Sequence, residues 1–368
     1  MSDALIRLLK SKRVIVSCGA GGVGKTTVSA SLSAYAARLG LRVLVVTIDP
    51  SKRLAEALGV TRNAPEPVAV ELDEPCTGSL HAWMLDPQMV SNQVVEKFSR
   101  SPEEANRLLN NRIYQNVTAM VAGMQEYTAV EALCGFVSTD RYDLVILDTP
   151  PSRDALRFLD APLRANAFLD RRIFNLFIPS EGGLIRRMAT KLVEQVMDVA
   201  FGRNTREDLQ QFFLLFGSLL GHLNANQSEM QQFFRAETVG FLMVTSPSEL
   251  ALKETRFFRS KTEELGLRVC GVVLNRSLAM EADLNRPDIS DVEGELTPAH
   301  RSLFNRFVGE AELELETAKE HAALGRSIAQ SNAEPVWVFP FVQTQAIDVA
   351  HLEALARRAV CLDKGEVT

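Results

Sequence analysis

The chain is poor in cysteine, and the few it has build nothing together. Cys18, Cys76, Cys134, Cys270 and Cys361 are the five among 368 residues, with no C-x-x-C pair, so neither a zinc staple nor a disulfide framework is indicated. His81, His222, His300, His321 and His351 are equally scattered and lack H-E-x-x-H spacing, so no protein-built transition-metal centre is expected. Excess positive charge is also missing. A formal net charge of -6 argues against a broad phosphate-backbone partner, and no nucleic acid is expected. The longest largely apolar run, Phe212 to Gly221, is about half the roughly 20 residues of a membrane span, and the start of the chain has no signal-peptide character. These absences describe a cytoplasmic globular protein, with room for a peripheral membrane partner.

What is present is a well-stocked core. A hydrophobic share of 46% and a charged share of 23% suit one large α/β domain with an insertion, or two ordinary domains. Runs rich in Val, Ile and Leu read as buried parallel strands at Arg13 to Cys18, Arg42 to Ile48, Ala82 to Leu85, Leu144 to Leu147, Gly240 to Val244, Val269 to Leu274 and Pro335 to Phe339. Helical patterns separate them, which predicts a doubly wound, mostly parallel sheet whose ligands bind at the carboxyl ends of the strands.

Two stretches break the alternation. Ser91 to Thr139 is helical throughout, and from about Leu163 to Arg235 no strand is expected. There Ile185, Met188, Leu192, Val196 and Ala200 form one apolar stripe, and Phe212, Leu215, Phe216, Leu219 and Leu223 form a second. The expected organisation is a core of 1–162 and 236–368 with a helical insertion at 163–235. The acidic segment Pro287 to Pro298 reads as a solvated connector, followed by a charged helix from Ala299 to about Leu324.

The chemistry is concentrated just after the first strand. Gly19, Ala20, Gly21, Gly22, Val23, Gly24, Lys25 and Thr26, followed by Thr27, lie between a strand and a helix, the context a Walker A loop requires. Glycines let consecutive N–H groups turn inward around phosphates, and the helix N-terminus adds partial positive charge. Lys25 is then the cation for the β- and γ-phosphates, and Thr26 supplies a hydroxyl ligand to Mg²⁺. Asp148 closes the run Leu144 to Leu147 where a Walker B carboxylate belongs, as a second Mg²⁺ partner. Asp49 ends another strand before Pro50; it either orients the attacking water or caps a helix. ATP with Mg²⁺ is the expected ligand pair.

Taken together, G-A-G-G-V-G-K-T-T, the I-D-P of Ile48 to Pro50 and the D-T-P-P-S of Asp148 to Ser152 resemble the ArsA/guided-entry branch of the deviant Walker A ATPases, a SIMIBI-type P-loop family, and especially its single-P-loop bacterial members. His81 to Pro87 and Pro247 to Arg256 are similar to further family segments, so the likeness runs over most of the chain. It implies that Asn275 and the loop at Pro340 and Phe341 contact adenine. It also implies a dimer with ATP at the interface, Asp49 orienting water in a first switch, and a second switch from Asp148 to Pro162 reaching the helical insertion. In guided-entry members that insertion holds a hydrophobic transmembrane helix of a tail-anchored client; in arsenite-pump members the fold drives a membrane anion channel.

One departure bears on mechanism. The family's signature lysine is replaced by Ala20, which removes a cation where transition-state charge develops. Either Lys52, Arg53 or Arg153 substitutes, or a lysine-bearing paralogue completes a heterodimer in place of a homodimer. Four readings are open: a client-targeting factor with its bait surface on the helices expected in 185–223, the energy-coupling subunit of an anion pump, a ParA- or MinD-like positioning protein, and, on the strength of Ala20, a weakly hydrolysing regulatory subunit. Charge disfavours ParA-like DNA binding. The apolar stripes serve the first reading as a groove, or they pack as ordinary core.

Overall fold

The computed structural model describes residues 3–47, 53–60, 66–72, 76–85, 92, 95–97, 99–117, 124–149, 208, 209, 211, 212, 215, 227–284, 297–342 and 348–362. In chain order the elements are α1 (Asp3–Ser11), β1 (Val14–Cys18), α2 (Lys25–Arg38), β2 (Arg42–Thr47), α3 (Arg53–Leu58), β3 (Val68–Ala69) and β4 (Ser79–Met84). Then come α4 (Pro102–Leu109), α5 (Arg112–Val117), α6 (Met124–Ser138), β5 (Leu144–Asp148) and α7 (Gln227–Arg235). The chain ends in β6 (Val239–Thr245), α8 (Glu249–Glu264), β7 (Val269–Ser277), a 3₁₀ turn (Ala279–Glu281), α9 (Pro298–Ser331), β8 (Val336–Pro340), α10 (Val349–Arg357) and β9 (Val360–Leu362).

Contacts divide the chain into two units. The first comprises Met1–Met84, Arg141–Ser152 and Glu237–Thr368, and the second comprises Leu85–Asp140 and Arg153–Ala236. The second unit therefore draws on the helical stretch before β5 as well as on the segment after it. Within it, Ser101 caps α4 by accepting from the Glu104 N–H, and Asn111 donates to the Asp208 carbonyl at 2.9 Å. The paired helical stripes of 185–223 lie almost wholly outside the described residues, as does the connector from 287 to 296.

The first unit is a nine-stranded sheet in the order β3-β4-β2-β5-β1-β6-β7-β8-β9. Its seven inner strands are parallel, and only the short β3 and β9 run antiparallel at the edges. Every residue of β1, β5, β6 and β8 is buried, as their unbroken aliphatic runs require when helices cover both faces. Beneath α1, α2 and α10, Ile15, Val45, Ile146, Leu242 and Val244 form one cluster. Because side chains alternate along a strand, Met243 and Thr245 face the other side, toward α8 and α9.

Helix α2 runs through the middle of the first layer. Eleven of its 14 residues are buried, and its Ala- and Ser-rich sequence permits that close approach on all sides. It stops at Gly40, whose φ of +92° fits no ordinary side chain. There the Leu41 N–H bonds to Ala36 and the Gly40 N–H to Ala37, a Schellman closure. Glu353 of α10 accepts from Arg38 of α2 at 2.9 Å and also from Arg357, tying the two helices together.

The sheet differs from the sequence expectation at its margins. The antiparallel strands β3 and β9 are too short to show a periodicity, and α9 extends to Ser331, beyond the expected Leu324. Packing at β7 and β8 is tight: a Cβ on Gly271 would stand 2.1 Å from Cζ3 of the fully buried Trp337. Gly271→Ala should therefore lower unfolding free energy by about 1–3 kcal/mol. The reading is a lower denaturant midpoint at unchanged slope, and an unshifted midpoint would contradict the described packing.

Candidate nucleotide site

The site lies where β1 gives way to α2, at the carboxyl ends of the central strands. Gly24 takes φ +90° as it turns the chain into the helix, and a Cβ there would lie 2.3 Å from Nδ2 of Asn275. A Cβ on Gly19 would lie 2.0 Å from the Val244 carbonyl oxygen. The loop is thus pressed between β6 and β7, and only hydrogen fits at these two positions. Gly21 and Gly22 are exposed, whereas the Val23 side chain is buried in the core.

Lys25 folds back into the loop. Its Nζ donates to the carbonyls of Gly19 at 3.0 Å and Ala20 at 2.8 Å, and the residue is buried. The ammonium is therefore held inside the concavity it would share with phosphates, while α2 presents its N-terminus there. Ala20 itself is only 4% exposed and belongs to the apolar cluster. A lysine in its place would have to leave that environment or bury a charge.

Asp148 is the hub of the site. The Thr26 hydroxyl donates to its Oδ2 at 2.8 Å, and the Thr47 hydroxyl donates to the same oxygen at 3.2 Å. In register, Asp148 stands between Ser17 of β1 and Thr47 of β2. The next residue, Thr149, donates to the Ser17 carbonyl at 2.6 Å. Hydroxyl and carboxylate oxygens so placed form a hard donor set that suits Mg²⁺, and the two glycines leave the backbone cradle open for phosphates.

Asn275 comes to the same place from β7, donating from Nδ2 to the Val23 carbonyl at 2.8 Å. It braces the loop directly, a role the sequence did not disclose. Pro340 lies opposite Ser277, and the Phe341 N–H bonds to the Ser277 carbonyl at 3.1 Å, so the end of β8 is fixed near Asn275. Asp49, Lys52 and Arg153, together with the side chain of Arg53, lie outside the described residues. Thr27 sits in the first turn of α2, half-buried. Sequence reasoning missed Thr47 as a partner of Asp148; a hydroxyl closing an otherwise aliphatic strand, two residues before Asp49, is the signal that could have found it.

Two thiols lie in the sheet, Cys18 at the end of β1 and Cys270 near the start of β7. Burial pushes the Cys18 thiol far up despite the nearby Lys25, and burial pushes Cys270 up to about 12. Among the described residues no group of three His, Cys, Asp or Glu side chains could hold a metal ion, and no helix is long and apolar enough to cross a membrane.

A strand, a glycine cradle, an inward lysine and a carboxylate at the next strand's end define a P-loop nucleotidase. A family model described as anion-transporting ATPase matches residues 12–291, and the chain belongs to that family. The protein is accordingly an ATPase. It is 22% identical to a putative arsenical pump-driving ATPase 1 of Aquifex aeolicus, over 94% of this chain and 78% of that protein. It is 27% identical to ATPase get3 of Schizosaccharomyces pombe, over 71% of this chain and 72% of the relative. A Streptomyces coelicolor protein with no assigned activity is 32% identical, over 41% of this chain and 37% of its own length.

Gly24→Ala should reduce ATP affinity by at least about tenfold, since the left-handed backbone and the Asn275 contact both resist a methyl group. A fluorescent-nucleotide titration checks this. Wild-type affinity would remove the loop from the phosphate site.

Proposed function

We propose that this ATPase is a nucleotide-gated switch that works as a dimer and couples ATP binding and hydrolysis to a hydrophobic client. The observation that supports the reading is the shared Asp148 oxygen. One carboxylate joins Thr26, at the phosphate end of α2, to Thr47, the residue that leads toward Asp49. Occupancy of the phosphate site therefore bears on both stretches that the family uses as switches. Lys25 needs only to turn from the Gly19 and Ala20 carbonyls to meet the β- and γ-phosphates. Asp49 orients water for attack on the γ-phosphate. Bound Mg²⁺, held by the Thr26 hydroxyl and Asp148, would neutralise charge developing between the β- and γ-phosphates.

The missing signature lysine defines the assembly question. Ala20 brings no cation, so Lys52, Arg53 or Arg153 serves a homodimer, or a paralogue brings a lysine to a heterodimer. In this reading the client surface is the pair of apolar stripes that the sequence spaces for helices in 185–223, a pattern that suits another apolar helix as partner. Asn275, Pro340 and Phe341 complete the adenine end of the site in the same reading.

A second reading, the energy-coupling subunit of an anion pump, is favoured by the family description and by the name of the Aquifex aeolicus relative. The scattered and partly buried thiols weigh against arsenite as the anion. Turnover unmoved by As(III) is the result expected, and strong stimulation would favour the pump.

Lys25→Ala should abolish tight ATP binding, whereas Asp49→Asn should bind ATP normally and lose hydrolysis. Equal turnover in Asp49→Asn and the native chain would remove Asp49 from the catalytic role. Specific ATPase activity should also rise with protein concentration over several decades. A flat rate near background, despite ATP binding, would mean that the homodimer is not the catalytic unit.

A further inference from the structure

At position 47 the packing of β2 would accept a methyl group, and the chain has a hydroxyl. Val43 and Val45 of β2 belong to the apolar cluster on the α2 side of the sheet. Side chains alternate along a strand, so Thr47 is the next residue of β2 on that face. Valine has nearly the same shape and suits a strand equally well, and Thr47 is only 2% exposed. A hydroxyl buried in place of a methyl is costly unless it is answered. Asp148 answers it, its Oδ2 accepting from Thr47 at 3.2 Å.

That oxygen is held from two elements. Thr26 donates to it from the first turn of α2 at 2.8 Å, and Thr47 donates from β2, whose register sets Thr47 directly beside Asp148. A hydroxyl has one hydrogen and two acceptor lone pairs. With its hydrogen on Asp148, Thr26 keeps its lone pairs for a cation at the loop. The terminal torsion of an aspartate is broad and nearly two-fold, so a donor on α2 alone leaves the carboxylate room to turn. A second donor anchored in the body of the sheet takes that freedom away.

We propose that Thr47 is a positioning residue for the metal. It acts through Asp148, holding the carboxylate in the setting in which Asp148 and Thr26 take Mg²⁺. The inference rests on the reading that those two residues hold the ion. Hydrogen-bond partners behind a metal's ligands commonly govern about 10- to 100-fold in metal affinity. Nucleotide binding without metal draws on the glycine cradle and Lys25 instead, so the two quantities separate the role of Thr47 from that of the loop.

The test is titration of the full chain with a fluorescent ADP, in chelator and at Mg²⁺ concentrations spanning several decades. Thr47→Val should need at least about tenfold more Mg²⁺ for the half-maximal effect on nucleotide affinity, with affinity in chelator unchanged. Thr47→Ser keeps the hydroxyl and should restore the native requirement. Thr47→Cys keeps only a weak S–H donor and should fall between the two; its difference from Thr47→Ser decides the matter if Thr47→Val does not fold. Mn²⁺ binding in the presence of ADP, followed by electron paramagnetic resonance, should give the same ranking. A native Mg²⁺ requirement in Thr47→Val, equal losses with and without metal, or Thr47→Ser no better than Thr47→Val would overturn the proposal. Asp148→Asn distinguishes that failure from failure of the reading beneath it. It should raise the Mg²⁺ requirement at least as far as Thr47→Val does, and a native requirement there would remove Asp148 from the metal and the proposal with it.

Discussion

A carboxylate buried in the middle of a large sheet must be answered by donors, and the way Asp148 is answered organises the first unit. Its Oδ2 collects hydroxyls from α2 and β2, while the following Thr149 reaches back to β1. Three parallel strands and the central helix are thereby referenced to one point. Such an arrangement is costly to assemble, since a buried charge without its partners would be strongly destabilising. It is therefore kept where the charge has work to do. The same oxygen that stabilises the ground state is the one that a divalent cation would compete for.

The glycine cradle is held by its surroundings as much as by its own sequence. Val244 blocks any side chain at Gly19, and Asn275 both braces Val23 and closes the space at Gly24. The loop's shape is thus imposed by β6 and β7 from behind. Ala20 belongs to this support: its methyl lies in the apolar cluster, so this position of the loop serves packing. Phosphate binding and core packing share one short stretch of backbone.

Much of this was legible in the sequence, for identifiable reasons. Parallel strands buried on both faces are written as unbroken Val, Ile and Leu runs, and each of the seven expected runs lies at an inner strand of the sheet. The loop and Asp148 were legible because their chemistry needs fixed residue types at strand ends. The margins were not. Val68–Ala69 and Val360–Leu362 form strands through pairing with β4 and β8, a property of neighbours rather than of two or three residues. The contact of Asn275 with Val23 spans 252 positions in the chain, a proximity that no local pattern encodes. Thr47 was passed over because a threonine ending a strand is ordinary until the carboxylate beside it is known.

The two edges of the sheet carry a further meaning. Each ends in an antiparallel strand of two or three residues, which offers too short a ladder for another chain to add itself. Association by continuing the sheet would draw its affinity from a ladder of main-chain hydrogen bonds. Among the described residues, that leaves helices, loops and side chains as the larger surfaces. Contacts of that kind can be made and given up a few at a time.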